Sequence, residues 1–334
     1  MLKRLISRLF GQEPAPAAPA VAAAPAAPGP AEAEPPPRAN GPRASVGQVN
    51  VAFYHLVAGD PRDDVPAATE KLILEGLLRL VKSPDSAAGL VPRVPAVIPP
   101  LLRSLRDTNL SAADLARQIG QDVVLVGEVI REANSSFYSP ATPIRNLEGA
   151  VMMLGQNGLR MLLARVAFRP VISQQSGRYA RLAAPPVWSQ AEKCALAASM
   201  LAYEHGAEPF EAYLAGLMEN LGLIVAFRMI DQAFGEKTPL PGSADFCRRL
   251  FSYARMISAR IAMLWDFPPN VVAAIAHAGD DDAPPLAQAL GKADRISKLR
   301  LLADAGRVGS EVARAGMDAT ELQCFDKIKT KDPD

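Results

Sequence analysis

Apolar positions recur at three- and four-residue spacing through nearly the whole chain beyond residue 91, while alternating β-branched runs between glycine turns are almost absent. That pattern predicts an all-α fold. It places helices at residues 97–106, 112–119, 123–133, 147–168, 186–205, 211–231, 244–266, 269–277, 286–304 and 318–328, the fourth of them bent between Gly155 and Gly158. Two more helices are expected within 46–82, broken near Gly59-Asp60-Pro61, and the second carries Leu72, Leu74, Leu77, Leu78 and Val81. Val91-Pro92-Arg93-Val94-Pro95 reads as an extended entry, because each proline disfavours helix in the residue before it. Ser111 followed by Asp114 has the spacing of a capping box. Asn134 is expected to close its helix and open the next turn through side-chain bonds to backbone, in the left-handed geometry that asparagine tolerates.

One stretch stands out within this pattern. Residues 213–227 read as a single buried helix, in which Ala215, Gly216 and Gly222 are small enough to let a neighbouring backbone come close. Glu219 and Asn220 interrupt its apolar run. Two polar side chains in such surroundings need partners or a task.

Ahead of the helical body the pattern changes twice. In residues 1–11, Leu2, Leu5, Ile6 and Leu9 fall on one side of a helix and Lys3, Arg4 and Arg8 on the other. So short a helix is unstable alone in water, so it must fray or lean on a membrane surface, a partner groove or its own domain. Three cations worth roughly 1 kcal/mol each near anionic lipid would make a membrane contact weak and reversible. Charges interrupt the apolar part, which makes the segment a poor secretory signal. Residues 12–44 are rich in Ala and Pro and are expected to be a disordered, partly polyproline spacer that cannot bury enough surface to offset its ordering entropy. The expected division is thus an amphipathic segment (1–11), a linker (12–44), a helical extension (45–85) and the main domain (86–330).

Composition narrows the function classes. The chain has 334 residues, 49% of them hydrophobic, and a net charge of +1, which suits a globular core and gives no general attraction to nucleic acid. Cys194, Cys247 and Cys324 are far apart and lack CxxC spacing, so they read as reduced packing residues of a cytoplasmic protein. With only three histidines, His55, His205 and His277, a histidine-rich metal centre is not expected. His205 and His277 read as helix-end residues.

Several short elements, taken in order, resemble the HDOD (HD-related output domain) family of bacterial signalling proteins. They are the Val-Pro-Arg-Val-Pro entry, Asp122 and Leu125 leading to Ala133-Asn134-Ser135, Ile144 and Leu147 before Leu154-Gly155, Leu159-Arg160, Trp188, Ala215-Gly216-Leu217, and Ala293-Asp294. The Asn-Ser and Leu-Gly elements are the most specific. The resemblance implies an all-α fold related to HD phosphohydrolases, acting as a regulatory, protein-binding module with a signalling protein as partner and no catalytic residue, metal or cofactor. Carried over by position, the HD metal ligands fall on Gln190, Glu219, Asn220 and Asp294. In the parent superfamily the first is His, the middle two are a His-Asp pair and the last is Asp. Amide carbonyls are weak donors beside imidazole or carboxylate, so this set would hold a divalent ion loosely and would not activate a water. Gln190 and Asn220 are expected to satisfy each other or backbone groups, Glu219 to point outward or pair with an arginine, and Asp294 to sit on an exposed, salt-bridged face beside Arg295. A vestigial pocket that binds a small ligand or part of a partner is the other reading of the four.

Two alternatives remain to be weighed. A metal-dependent phosphohydrolase or cyclic-dinucleotide phosphodiesterase is the enzyme reading. A helix-turn-helix DNA binder is suggested by the spacing of Ala116, Gly120 and Val126, but its reading helix would carry Asp122, Glu128 and Glu132 against the single Arg131, which phosphates would repel. Cytoplasmic location follows from the cysteines, with residues 1–11 as the one candidate contact to the inner membrane.

Overall fold

The computed structural model describes residues 43–59, 61–82, 111–120, 123–135, 138, 140–235 and 238–329. The expected amphipathic segment at 1–11, with Leu2, Leu5, Ile6, Leu9, Lys3, Arg4 and Arg8, nearly all of the 12–44 linker, the 91–95 entry and the 97–106 helix lie outside the described residues.

Among the described residues the secondary structure is helical, with one isolated bridge between Arg62 and Pro241 and no strand. The helices are α1 (Val46–Ala58), α2 (Ala67–Lys82), α3 (Ala112–Ile119), α4 (Val123–Ala133), α5 (Leu147–Ser173), α6 (Arg178–Leu201), α7 (Pro209–Met218), α8 (Leu221–Phe234), α9 (Ala244–Leu264), α10 (Pro269–His277), α11 (Pro285–Asp304), α12 (Ser310–Arg314) and α13 (Ala319–Lys327). Short polar side chains start many of them by accepting first-turn amides that have no acceptor within the helix. Ser45 and Gln48 form a full capping box on α1, as do Asp318 and Glu321 on α13. Ser111 and Asp114 exchange the bonds their spacing predicted. Pro209, Pro269 and Pro285 sit at the first positions of α7, α10 and α11, where a missing N–H costs nothing.

Helix α6 runs through the centre and packs against α7, α11, α8, α1 and α5. Its buried Ala180, Ala183, Ala184, Ala191, Ala195 and Ala198 let those neighbours approach closely. The small residues of 213–227 do what the sequence predicts. A Cβ on Gly216 would lie 2.5 Å from Ala195 Cα, and one on Gly222 would lie 1.9 Å from the Ala254 carbonyl oxygen. Each glycine is therefore set by a backbone crossing, of α7 on α6 and of α8 on α9. Residues Pro209–Phe234 are long and apolar enough to cross a membrane by composition, but 94% of that apolar window is buried inside the fold, as in a core helix. Helix α1 also enters this core through Phe53 and Tyr54, whose hydroxyl donates to the Pro241 carbonyl over 2.7 Å.

Four expectations are corrected. The single helix over 211–231 is two, separated at Glu219 and Asn220. The buried Ser258 hydroxyl sustains the break by accepting from Gly222 N at 2.8 Å and donating to the Glu219 carbonyl at 2.9 Å. Such tertiary bonds are invisible to periodicity. Helix α6 starts at Arg178 rather than 186 and carries Pro185 and Pro186 inside it. Its first amides, at Tyr179 and Ala180, are held by Asp231 from α8, which replaces a local cap. Helix α12 was not expected. Asn134 does close α4, its side chain bonding the Ile130 carbonyl and both backbone groups of Ile144, but it lacks the left-handed geometry. Among the described residues only Asp266 has positive φ without being glycine. The bend expected near Gly155 is present, at φ 63° and ψ −173°.

Candidate functional site: a closed polar centre

Three of the four predicted positions meet at the crossing of α6, α11 and the α7–α8 break. Gln190 on α6 is fully buried, Asn220 lies at the break and Asp294 is on α11. Asp294 Oδ1 accepts from Gln190 Nε2 at 2.9 Å and from Asn220 Nδ2 at 2.8 Å. Asn220 Nδ2 also donates to Gln190 Oε1 at 3.0 Å, and Gln190 Nε2 to the Ser297 hydroxyl at 3.1 Å. The expected mutual satisfaction of Gln190 and Asn220 is thus observed. Both amides turn their N–H groups toward the carboxylate, the orientation a buried negative charge demands.

The expectation for Asp294 is corrected. It is buried, and its ionic partner is not on an exposed face with Arg295. Lys298, one helical turn further along α11 and 2% exposed, donates to Asp294 Oδ2 at 2.7 Å. The same ammonium donates to Asn50 Oδ1 of α1 at 2.8 Å. Its charge also lies 4.7 Å from the Phe251 ring centre and 5.4 Å from that of Phe53, within cation–π range. A fixed internal cation therefore neutralises Asp294. The signal available in the sequence was a lysine four residues after Asp294 on an otherwise apolar helix face. Asn50 gave no comparable signal, because its partner is 248 residues away.

Glu219 is corrected too. It neither points outward nor forms an ion pair within 4 Å: it is 7% exposed, and its Oε2 is buried without a hydrogen-bond partner. Burial, and then the negative charge of Asp294, push its carboxyl up to about 8 against the pull of Lys298 and Arg255. Near neutral pH the group is therefore mostly protonated. Glu219, Asn220, Asp294 and Lys298 line one cavity of about 40 Å³ with Asn50 and Arg255, room for little more than a water molecule. Cys194 lies close by in full burial, and its thiol is pushed well above the usual range, first by desolvation and then by Asp294.

These residues do not fit a catalytic divalent ion. Among the described residues no three His, Cys, Asp or Glu side chains cluster as metal ligands. Both Asp294 oxygens are engaged, two members of the set are amides, and the second carboxyl is held largely neutral. A cation entering here would have to displace Lys298, which cannot leave without abandoning Asn50 and two aromatic faces.

The remaining predicted residues lie elsewhere. His277 ends α10 and bonds Asp280 through Nδ1 at 3.1 Å. Ala116, Gly120 and Val126 line an open groove of about 780 Å³ together with Ile130, Leu147 and Met152. Glu132, expected on a helix surface, is 4% exposed and forms ion pairs with Arg165 at 2.8 Å and Arg169 at 3.3 Å.

Comparison with known proteins defines the class to which this fold belongs. Residues 91–280 match the HDOD domain family, and the chain belongs to that family. Asp294 and Lys298 lie beyond the matched span. An HDOD domain protein of unknown function from Geobacter sulfurreducens is 21% identical, with a TM-score of 0.55 over 79% of this chain and 94% of that one. A protein from Shewanella amazonensis SB2B, provisionally named a metal-dependent phosphohydrolase, is 20% identical, with a TM-score of 0.54 over 78% and 98% of the two chains. At such identities the likeness shows the fold alone. An uncharacterized protein of Treponema pallidum is 24% identical over 191 residues, which cover 54% of this chain and 36% of that relative's length. The chain thus spans about a third of that curated relative.

Proposed function

We propose that this HDOD protein is a non-catalytic regulatory module of bacterial signal transduction that works by binding a signalling protein. The observation that carries the reading is the Lys298 ammonium on Asp294 at 2.7 Å, inside a cavity of about 40 Å³. Phosphoester hydrolysis of the HD kind needs a metal-activated water and room for a phosphate. This centre supplies a lysine in place of the metal and no such room. What remains is a rigid helical body whose polar centre ties α1, α6, α11 and the α7–α8 break together, so a partner would meet a fixed surface. The three cysteines are buried and free, which supports a reducing, cytoplasmic setting. Residues 1–11 are proposed as the segment through which the protein touches the membrane surface or a partner.

Manganese titration, with hydrolysis of a generic phosphodiester followed in parallel, tests the non-catalytic claim. Neither saturable binding nor turnover above buffer is expected. Turnover that disappears in Glu219→Gln, a variant that keeps the shape of the side chain, would establish the phosphohydrolase or cyclic-dinucleotide phosphodiesterase reading instead. Affinity capture from the native cell should return a signalling protein, and deletion of residues 1–11 should alter capture or localisation while leaving the melting temperature unchanged.

A further inference from the structure

A second polar region lies beside the closed centre and has the opposite character. Arg295, on α11 between Asp294 and Lys298, is 5% exposed. Its Nε donates to the Ala44 carbonyl over 3.4 Å, while Nη1 and Nη2 are buried with no hydrogen-bond partner. A buried guanidinium with idle donors is costly, and protein interiors seldom tolerate one without a compensating ligand or water. The carboxylate whose charge acts on it does not bond it. Glu321, fully buried, gives one oxygen to Arg43 and the other to Asp318 N.

Arg295 lines a pocket of about 480 Å³, within the size range of small-molecule sites. Three further features of that pocket favour an anion. Arg43 and Lys292 stand on its wall. Lys292 reaches only to 4.0 Å from Asp318 and is one-third exposed. Ser45 and Val46 bring the N-terminus of α1 into the pocket, where the Val46 and Gly47 amides have no acceptor within the helix and the helix dipole is positive. Asp280 and Asp281 form the opposing acidic part, and Asp280 is already engaged by Arg255 at 3.5 Å and by His277. Burial, followed by the like charge of Arg43, pulls the Arg295 guanidinium down to about 10 against Glu321, so a bound anion would relieve that pressure.

We propose that this pocket binds the phosphate group of a small molecule, with Arg295 Nη1 and Nη2 as the bidentate anchor and Arg43, Lys292 and the first turn of α1 as its surround. A planar fork of two N–H donors suits a phosphate or carboxylate oxyanion, and the added charge and helix terminus favour the more highly charged phosphate. Entry requires the rim to give, and the Arg43 side chain, 45% exposed, is the group placed to move. Val46, Gly279 and Gly291 line both this pocket and the closed centre, so a ligand here would press on the helices that hold Asn50 and Lys298.

Inorganic phosphate is the probe. Thermal unfolding of the full chain and isothermal titration are run in phosphate, acetate or chloride at matched ionic strength. Millimolar phosphate should raise the melting temperature of the wild type by a few degrees, saturably, and acetate should not. Arg295→Met should abolish the rise, and Lys292→Gln should weaken affinity several-fold. The second variant keeps the test decisive if the first fails to fold. No saturable phosphate effect on the wild type, an equal response to acetate, or unchanged affinity in Lys292→Gln would each overturn the proposal.

Discussion

Lys298 and Arg295 are two buried cations three residues apart on the same helix, and they differ in every respect that decides what a buried charge is for. Lys298 has a carboxylate, a side-chain amide and two aromatic rings around it, and no donor need send it looking for a ligand. Arg295, which lines a pocket, has one long bond to a carbonyl and two buried nitrogens with no hydrogen-bond partner. Removing one partner of a satisfied pair strands the other charge, whereas removing an unsatisfied cation strands nothing. A buried charge is thus a statement about stability in one case and about recognition in the other, and only its partners tell the two apart.

The largest effect should come from breaking the satisfied cation. Lys298→Met leaves Asp294 buried without its counter-ion and should cost about 3–5 kcal/mol in urea unfolding. Adding Asp294→Leu should recover much of that loss, because the stranded charge is then gone, and no recovery would show that the pair is not coupled as described. The next effect is a pH dependence at Glu219. Its folded-state carboxyl lies near 8 against an ordinary 4.5, so its contribution is full below pH 4.5 and is lost as pH rises through about 8. Glu219→Gln imitates the protonated form. The variant should therefore show a flatter stability profile than the wild type between pH 4.5 and 8, read from chemical denaturation at each pH. The smallest effect belongs to Arg295. In phosphate-free buffer Arg295→Met should change stability by less than about 1 kcal/mol, and a loss as large as that of Lys298→Met would erase the contrast.

How much of this could be read along the chain varied with the range of the interaction. The capping box at Ser111 and Asp114, the closure of α4 by Asn134 and the bend at Gly155 rest on residues a few positions apart or on the freedom of one glycine, and they were legible. Gly216 and Gly222 announced close crossings correctly, though not which helices would cross. The split at Glu219 and Asn220 was hidden because Ser258, some forty residues on, supplies the bonds that sustain it. The N-terminal turn of α6 was hidden in the same way by Asp231. At the centre, Gln190 and Asn220 were correctly expected to pair, while the burial of Glu219 and the internal cation on Asp294 were not foreseen.

Helical periodicity, local capping and the family resemblance were all present in the order of the residues, because each depends on a repeat, a short spacing or the identity of single side chains. The closure of the centre by Lys298 and Asn50, the proton held on Glu219 and the idle donors of Arg295 came into being only when helices distant in the chain were packed together. A charge acquires its energy from the groups and the dielectric around it, and those are properties of the assembled core rather than of the string of residues.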